Sequence, residues 1–490
     1  MEIKINKYVV ISSLLWKLME RLGTQGVQFL VIIVIARLLM PADFGLIVIV
    51  GIFITLAGIL VQSGFNMALI QKKHVDDLDY SSVFFVHLLL SALLYLLLFF
   101  TSPFIASYFE LPLLTIILRI LSLILILDAF NSIQNAIISR AMQFKKLFYS
   151  SLSAVLLSGI VGIIMAYLNF GIWALVVQQI IHHVVLTVHL FITVDWRPKF
   201  CFSFSRIKDL FSFGWKLLVS AIIDAIYQNL RNVIVGKMFS PAALGFFNRG
   251  EQFPNIIISN INSSILSVLF PALASQQENR SRVKEMVRRS IITSSYIIFP
   301  MMIGLAIIAK PLILILLTEK WLPAVPFLQI FCAVYALWPI HTANLQAINA
   351  LGRSDIFLKL EVIKKIIGIL ILSISIQYGV YAIAIGLIVS GIISTFINIF
   401  PNIKLLDYGI LEQFKDVAPS ILISIMMGIV VFSVQLFHLP PLFTLIAQIF
   451  VGIFIYIILS ILFKLESFNF LIRTMKDLKE KRKVVTKNSV

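Results

Sequence analysis

Charge is scarce in this chain. Only 13% of its 490 residues are Asp, Glu, Lys or Arg, and 23 acidic side chains stand against 40 basic ones. A water-soluble globular chain carries charge at about a quarter of its positions, so a fold solvated by water alone is excluded. Cysteine is nearly missing. Cys201 falls in a loop and Cys332 in an apolar segment, which leaves no disulfide framework and no metal-ligand spacing. Strand-like alternation of apolar and polar residues is lacking, which argues against a membrane β-barrel. No G-x-x-x-x-G-K-[ST] loop is present, so ATP hydrolysis by this chain is not expected. No cofactor is implied by any motif.

Long apolar runs fill the space that charge vacates. Ile47–Val61, Val83–Phe100, Ile116–Leu127, Ile180–Val194 and Ile366–Ile376 carry almost no charge, and 60% of the chain is hydrophobic. Roughly 20 such residues cross the hydrocarbon of a bilayer as a helix. The pattern predicts an all-α integral membrane protein of about 14 spans. Met1–Lys7 leads into the first span without an A-x-A-like cleavage site, so that span is expected to be retained.

The basic residues set the orientation. With the N-terminus inside, the inner connections hold Lys72, Lys73, Arg140, Lys145, Lys146, Arg197, Lys199, Arg280, Arg282, Lys284 and Arg353, and the tail adds Lys476 to Lys487. The outer turns Asn169–Gly171, Gln377–Val380 and His438–Pro441 have no Lys or Arg. Arg37, Lys237 and Lys320 are the main outer exceptions. This is the positive-inside pattern, and it places both termini in the cytoplasm of a multi-pass inner membrane protein. It also accounts for the net charge of +17 without nucleic acid as a partner. The basic tail is expected to rest on anionic membrane phospholipids.

The chain repeats itself at a period of about 200 residues. Trp16-Lys17-Leu18 recurs as Trp215-Lys216-Leu217. Arg37, Pro41-Ala42 and Gly45 recur as Lys237, Pro241-Ala242 and Gly245. Leu111-Pro112 matches Leu322-Pro323, and Tyr167 with Gly171 matches Tyr378-Gly379. Each copy holds about six spans, so both copies enter from the same side and the repeat is parallel. The expected organisation is an N-terminal six-helix lobe over 1–210 and a C-terminal six-helix lobe over 211–405. Two further helices over 406–465 and a basic cytoplasmic tail over 466–490 follow.

At these landmarks the sequence resembles a known family. Ala36-Arg37-Leu38-Leu39-Met40-Pro41-Ala42-Asp43-Phe44-Gly45, Leu69-Ile70-Gln71-Lys72-Lys73, Phe213-Gly214-Trp215-Lys216, Glu319-Lys320-Trp321-Leu322-Pro323 and Ala350-Leu351-Gly352-Arg353 look like signatures of bacterial polysaccharide flippases. These form the polysaccharide transporter branch of the multidrug/oligosaccharidyl-lipid/polysaccharide exporter superfamily. The resemblance runs from about residue 10 to 420. It implies a V-shaped pair of bundles that moves a polyprenyl-pyrophosphate-linked oligosaccharide from the inner to the outer leaflet by alternating access. Polysaccharide polymerase and glycosyltransferases are the further partners it implies.

Charges inside spans are costly and usually functional or paired. In the eighth span Arg249, Gln252, Asn255, Ser259 and Asn262 step by three or four and share one helix face. Asp224, Gln228 and Arg231 do the same in the seventh span, and Arg21, Gln25 and Gln28 in the first. The first and seventh spans are repeat mates, so their stripes are expected to face each other. Guanidinium groups would neutralise pyrophosphate, and amides match sugar hydroxyls. The competing readings are structural. Lys17, Glu20 and Arg21 sit where they can snorkel, Asp224 and Arg231 can pair, and Arg249 lies close to the outer interface. Asp128, well over two turns from Arg119, is the candidate for ion coupling. His182, His183 and His189 are expected to be packed or interfacial. Pro254, Pro300, Pro311, Pro326 and Pro339 mark either hinges or curvature.

Two other functions compete. A cation-coupled multidrug exporter of the same superfamily would favour acids in its cavity, whereas these stripes are rich in arginine and amide. A membrane-embedded glycosyltransferase or polymerase would need sizeable loops with acidic residues. The outer loops are short, and Arg197–Phe213 and Pro271–Arg289 hold no paired carboxylates in a pocket-like setting.

Overall fold

The computed structural model describes residues 7–62 and 64–473, with side chains from residue 12 onward except that of Phe213. Lys4, the side chain of Lys7 and the basic tail beyond residue 473 lie outside the described residues. Helix is the regular secondary structure throughout the described residues. By contacts the chain forms two compact units that meet in sequence at Gly245 and Phe246.

The first unit holds α1 (Lys7–Leu38), α2 (Pro41–Gln62), α3 (Phe65–Gln71), α4 (Asp77–Phe109), α5 (Leu113–Leu121), α6 (Ile124–Arg140), α7 (Phe144–Tyr167), α8 (Trp173–Thr193) and α9 (Phe204–Met238). Helix α10 (Pro241–Ala274) runs across the boundary. The second unit continues with α11 (Arg280–Ile307), α12 (Ala309–Leu316), a 3-10 turn (Glu319–Ala324), α13 (Val325–Ala336) and α14 (Trp338–Ala350). Helices α15 (Ser354–Ser375), α16 (Val380–Leu406), α17 (Ile410–Ser433) and α18 (Pro441–Leu462) complete it.

Among the described residues, 12 helical segments are long and apolar enough to cross a membrane. Helix α9, bent by 56° just before Gly214, makes 13. The one expected span missing from that set is the eleventh, α15, which carries Lys359, Glu361, Lys364 and Lys365; these charges keep it out. The protein is a multi-pass helical membrane protein.

Two expected spans are broken. The fourth is α5 followed by α6, and no proline separates them. At the break the Ser122 hydroxyl donates to the Leu118 carbonyl. The tenth is interrupted at Leu337, where Pro339 takes the first turn of α14. Proline costs little there because the first-turn N–H has no helical partner. Pro326 likewise opens α13. Pro254 and Pro300 stay inside continuous helices and do not divide them.

One end of the first unit is tied by charge. Asp76 caps α4: its carboxylate accepts from the Asp79 N–H, and the Asp79 side chain accepts from the Asp76 N–H. Asp79 is fully buried and meets Lys72 at 2.6 Å and Arg206 at 3.5 Å. Lys199 meets Asp77 at 2.5 Å. Arg140 donates to the carbonyls of Leu69 and Ile70, which the end of α3 leaves open, and to those of Lys72 and Lys73 in the loop that follows.

The backbone N–H of Asp79, and then the charge of Arg206, hold the Asp76 carboxyl below its usual range. A lowered folded value means the cap contributes fully above the unfolded value of about 3.9, and that contribution is lost as pH falls through the folded value. Asp76→Ala is expected to cost about 1 kcal/mol at neutral pH and to speed amide exchange in the first turn of α4. Asp76→Asn should keep the cap and remove its acid sensitivity.

Helices α2 and α9 run antiparallel along their length. Gly64 meets the Gly214 backbone near one end, and Gly236 meets Ile49 nearer the other. The two copies of the Pro-Ala-x-x-Gly landmark meet past that end. A Cβ on Gly45 would overlap the Pro241 carbonyl, and a Cβ on Gly245 would overlap the Pro41 carbonyl. Such a reciprocal exchange is what a local two-fold produces. Beside it Lys237 reaches Glu110 at 2.7 Å, which holds the Glu110 carboxyl below its usual range.

Candidate functional site

Helix α1 has three sectors. The first packs on α7: Ser13 donates to the Met142 carbonyl at 2.8 Å, Trp16 meets Phe148 at 5.6 Å, and Val31 lies against Gly159. The second is exposed and apolar, made of Leu15, Met19, Leu22 and Leu30. The third holds Arg21, Gln25 and Gln28, which helical geometry puts about 100° from the α7 face. Gln25 is exposed, and Arg21 and Gln28 are partly exposed. Lys17 and Glu20 pair with each other at 2.9 Å.

Helix α9 repeats the arrangement on a different partner. Gly214, Ala225 and Gly236 lie on the packed side. Trp215, Val219, Ile223 and Ile226 form the exposed apolar side. Asp224 and Gln228 are exposed and Arg231 partly exposed, on a third side. Charged stripes facing acyl chains are costly. Exposed Leu14 and Leu18 on α1, and Leu217 on α9, continue these same faces toward the start of each helix, so the polar stretch is confined to Arg21–Gln28 and Asp224–Arg231. The partners of the two helices differ: α1 lies mainly on α7, and α9 on α2, α3 and α4.

The stripe on α10 divides. Arg249 is only 8% exposed, donates to the Gln252 side chain and stacks over Trp321 with its guanidinium carbon 5.5 Å from the ring. Asn255 is exposed. Asn262 accepts from Thr342 at 2.6 Å, and Glu251, off the stripe, accepts from the Tyr335 hydroxyl at 2.8 Å. Both ends of the face are therefore engaged within the second unit, by Arg249 over Trp321 and by Asn262 with Thr342, while Asn255 between them is exposed.

Asp128 has a partner that spacing did not reveal. His183 Nδ1 lies 2.7 Å from its carboxylate, and the ring of His182 stands beside that of His183. His189 bonds Ser153 at 2.7 Å. Arg119 donates to the Phe99 carbonyl and the Ser102 hydroxyl and stacks over the Phe99 ring at 4.2 Å. Among the described residues no group of three His, Cys, Asp or Glu could hold a metal ion.

Known proteins share this sequence and architecture. The family described as "Polysaccharide biosynthesis protein" matches residues 34–326, more than half of the chain. The succinoglycan biosynthesis transport protein ExoT of Rhizobium meliloti is 26% identical over 324 residues, 66% of each chain. The teichuronic acid biosynthesis protein TuaB of Bacillus subtilis is 24% identical over 383 residues, 78% of this chain and 79% of that one. Among solved structures, the lipid II flippase MurJ in an inward closed conformation aligns with a TM-score of 0.72 at 17% identity, covering 92% of this chain and 98% of that one; this likeness concerns the fold. The names of these relatives are those of biosynthesis and transport proteins. A multi-pass helical architecture and a family match over most of its first three hundred residues together say that this chain belongs to the polysaccharide biosynthesis protein family of membrane transporters.

Proposed function

We propose that the chain is a flippase that carries a polyprenyl-pyrophosphate-linked oligosaccharide from the inner to the outer leaflet of a bacterial cytoplasmic membrane, by alternating access and without covalent chemistry. One observation carries the reading. Helices α1 and α9 each present exposed or partly exposed Arg and amide side chains in a stripe set about 100° from the packed side. Arg21 and Arg231 would bind the pyrophosphate. In the first unit Gln25, Gln28 and Gln228 would meet sugar hydroxyls beside Asp224, and in the second unit Asn255 would do so beside Gln252 and Arg249. The prenyl chain would stay in lipid, so only the headgroup needs a polar path. The basic connections favour both termini in the cytoplasm. The names of the relatives support a cargo destined for a surface polysaccharide.

Arg21→Gln with Arg231→Gln is expected to lower surface polymer at least about tenfold, since hydrogen bonds to charged groups contribute about 1.5–3 kcal/mol each. The amount of protein in the membrane should not change. Normal polymer output from the double variant would remove these residues from the site.

A cation-coupled exporter is the second reading, and the Asp128–His183 contact is the observation that favours it. In either reading Asp128 is the proposed coupling site. Export of cationic dyes that fails in Asp128→Asn, with surface polymer unchanged, would reverse the order of the two.

A further inference from the structure

The second unit contains a basic cavity that the transport reading does not use. It has a volume of about 440 Å³ and is lined by the first turns of α11 and the end of α16. Arg280, Lys284, Arg288 and Lys404 outnumber the lining acids Glu285 and Asp407. Lys284 is neutralised by Glu412 at 3.0 Å, and Arg288 by Asp416 at 2.9 Å. Glu285 serves Arg282 and Arg289 on its other side. Among the described residues Arg280 and Lys404 have no carboxylate partner.

The corresponding place in the first repeat is built with the opposite charge. Helix α4 opens with Asp76, Asp77 and Asp79, and each of these meets a Lys or Arg. Helix α11 opens with Arg280, Arg282 and Lys284 and has no acid in its first turn. Cations at that end oppose the helix dipole, so the stability of α11 does not account for them.

The wall below the cavity is apolar. Phe396, Phe400 and Lys404 recur every fourth residue and share one face of α16. Phe396 and Phe400 are both exposed, Phe400 at 64%. A cation at the water boundary above two exposed rings matches a lipid, with its phosphate at Lys404 and Arg280 and its chains along the rings. A soluble anion would have no use for the rings.

We propose that this cavity binds the headgroup of an anionic phospholipid, as a site separate from the cargo path. The proposal is independent of what the cargo is. The test is native mass spectrometry of the full chain released from nanodiscs that contain phosphatidylglycerol and phosphatidylethanolamine. The wild type should retain phosphatidylglycerol preferentially. At roughly fivefold per cation near a membrane surface, Arg280→Gln with Lys404→Gln should weaken the preference roughly 30-fold. Arg280→Lys with Lys404→Arg should keep it. Lys73→Gln with Lys359→Gln removes the same charge elsewhere and should also keep it. Equal loss in that control would mean bulk attraction and no site. An undiminished preference in the Arg280 and Lys404 variant would overturn the proposal, as would displacement of the lipid by millimolar inorganic phosphate.

Discussion

A single methyl group at Gly45 is expected to destabilise the protein more than any other alanine substitution at its helical glycines. The Cβ would sit on the Pro241 carbonyl. That oxygen belongs to backbone at the start of α10, so it cannot rotate away as a side chain would. Overpacking of this kind costs about 1–3 kcal/mol, and a backbone obstacle puts Gly45→Ala at the upper end. Gly245→Ala meets the Pro41 carbonyl in the reciprocal contact and should behave alike. Both act on one crossing, so the double variant should cost less than the sum. Gly51→Ala supplies the comparison, because a Cβ there meets nothing within 4 Å and alanine is the better helix former. Thermal unfolding in detergent should rank Gly51→Ala at or above wild type and Gly45→Ala well below it. Equal midpoints would mean that the crossing is loose and the reciprocal contact carries no weight.

The Pro-Ala-x-x-Gly landmarks were legible in the sequence as a repeat, because proline and glycine at fixed spacing are conspicuous. Their mutual contact was not legible, since a repeat says that two segments are alike and not that they touch. The stripes on α1 and α9 were legible for the same reason that their apolar sectors were: steps of three and four mark one helix face. Arg249 could be recognised as a charge within a span, but its seat over Trp321 depends on residues 72 positions apart. Asp128 looked isolated because its partner His183 is 55 positions away, on α8. The break between α5 and α6 left no signal either, as neither proline nor glycine marks it. Local rules thus reported faces, caps and proline starts, while pairings set by tertiary packing stayed hidden.

Asp79→Ala is the second substitution expected to act strongly, and its effect should be electrostatic where that of Gly45→Ala is steric. The carboxylate is 0% exposed. It answers Lys72 on the loop after α3, Arg206 on α9 and the N–H of Asp76 at the start of α4. Alanine leaves Lys72 without its carboxylate, leaves Arg206 with Asp76 alone at 3.4 Å, and opens half of the capping box. Breaking a buried ion pair from one side costs about 3–5 kcal/mol. Lys72 and Arg206 are 27% and 38% exposed, so water recovers part of their solvation, and about 3 kcal/mol is the expected loss. Asp79→Asn keeps the shape and one acceptor and should lose less. Adding Lys72→Gln to Asp79→Asn should return part of the loss, because the uncompensated cation is then gone. Arg140 holds the end of α3 and the loop that follows independently through four carbonyls, so the protein should still insert and the damage should appear as a lower unfolding midpoint and faster amide exchange in α3 and the first turn of α4. A loss below about 0.5 kcal/mol, the level of an ordinary surface substitution, would mean that Lys72 is solvated well enough to need no carboxylate and that Asp76 suffices for Arg206.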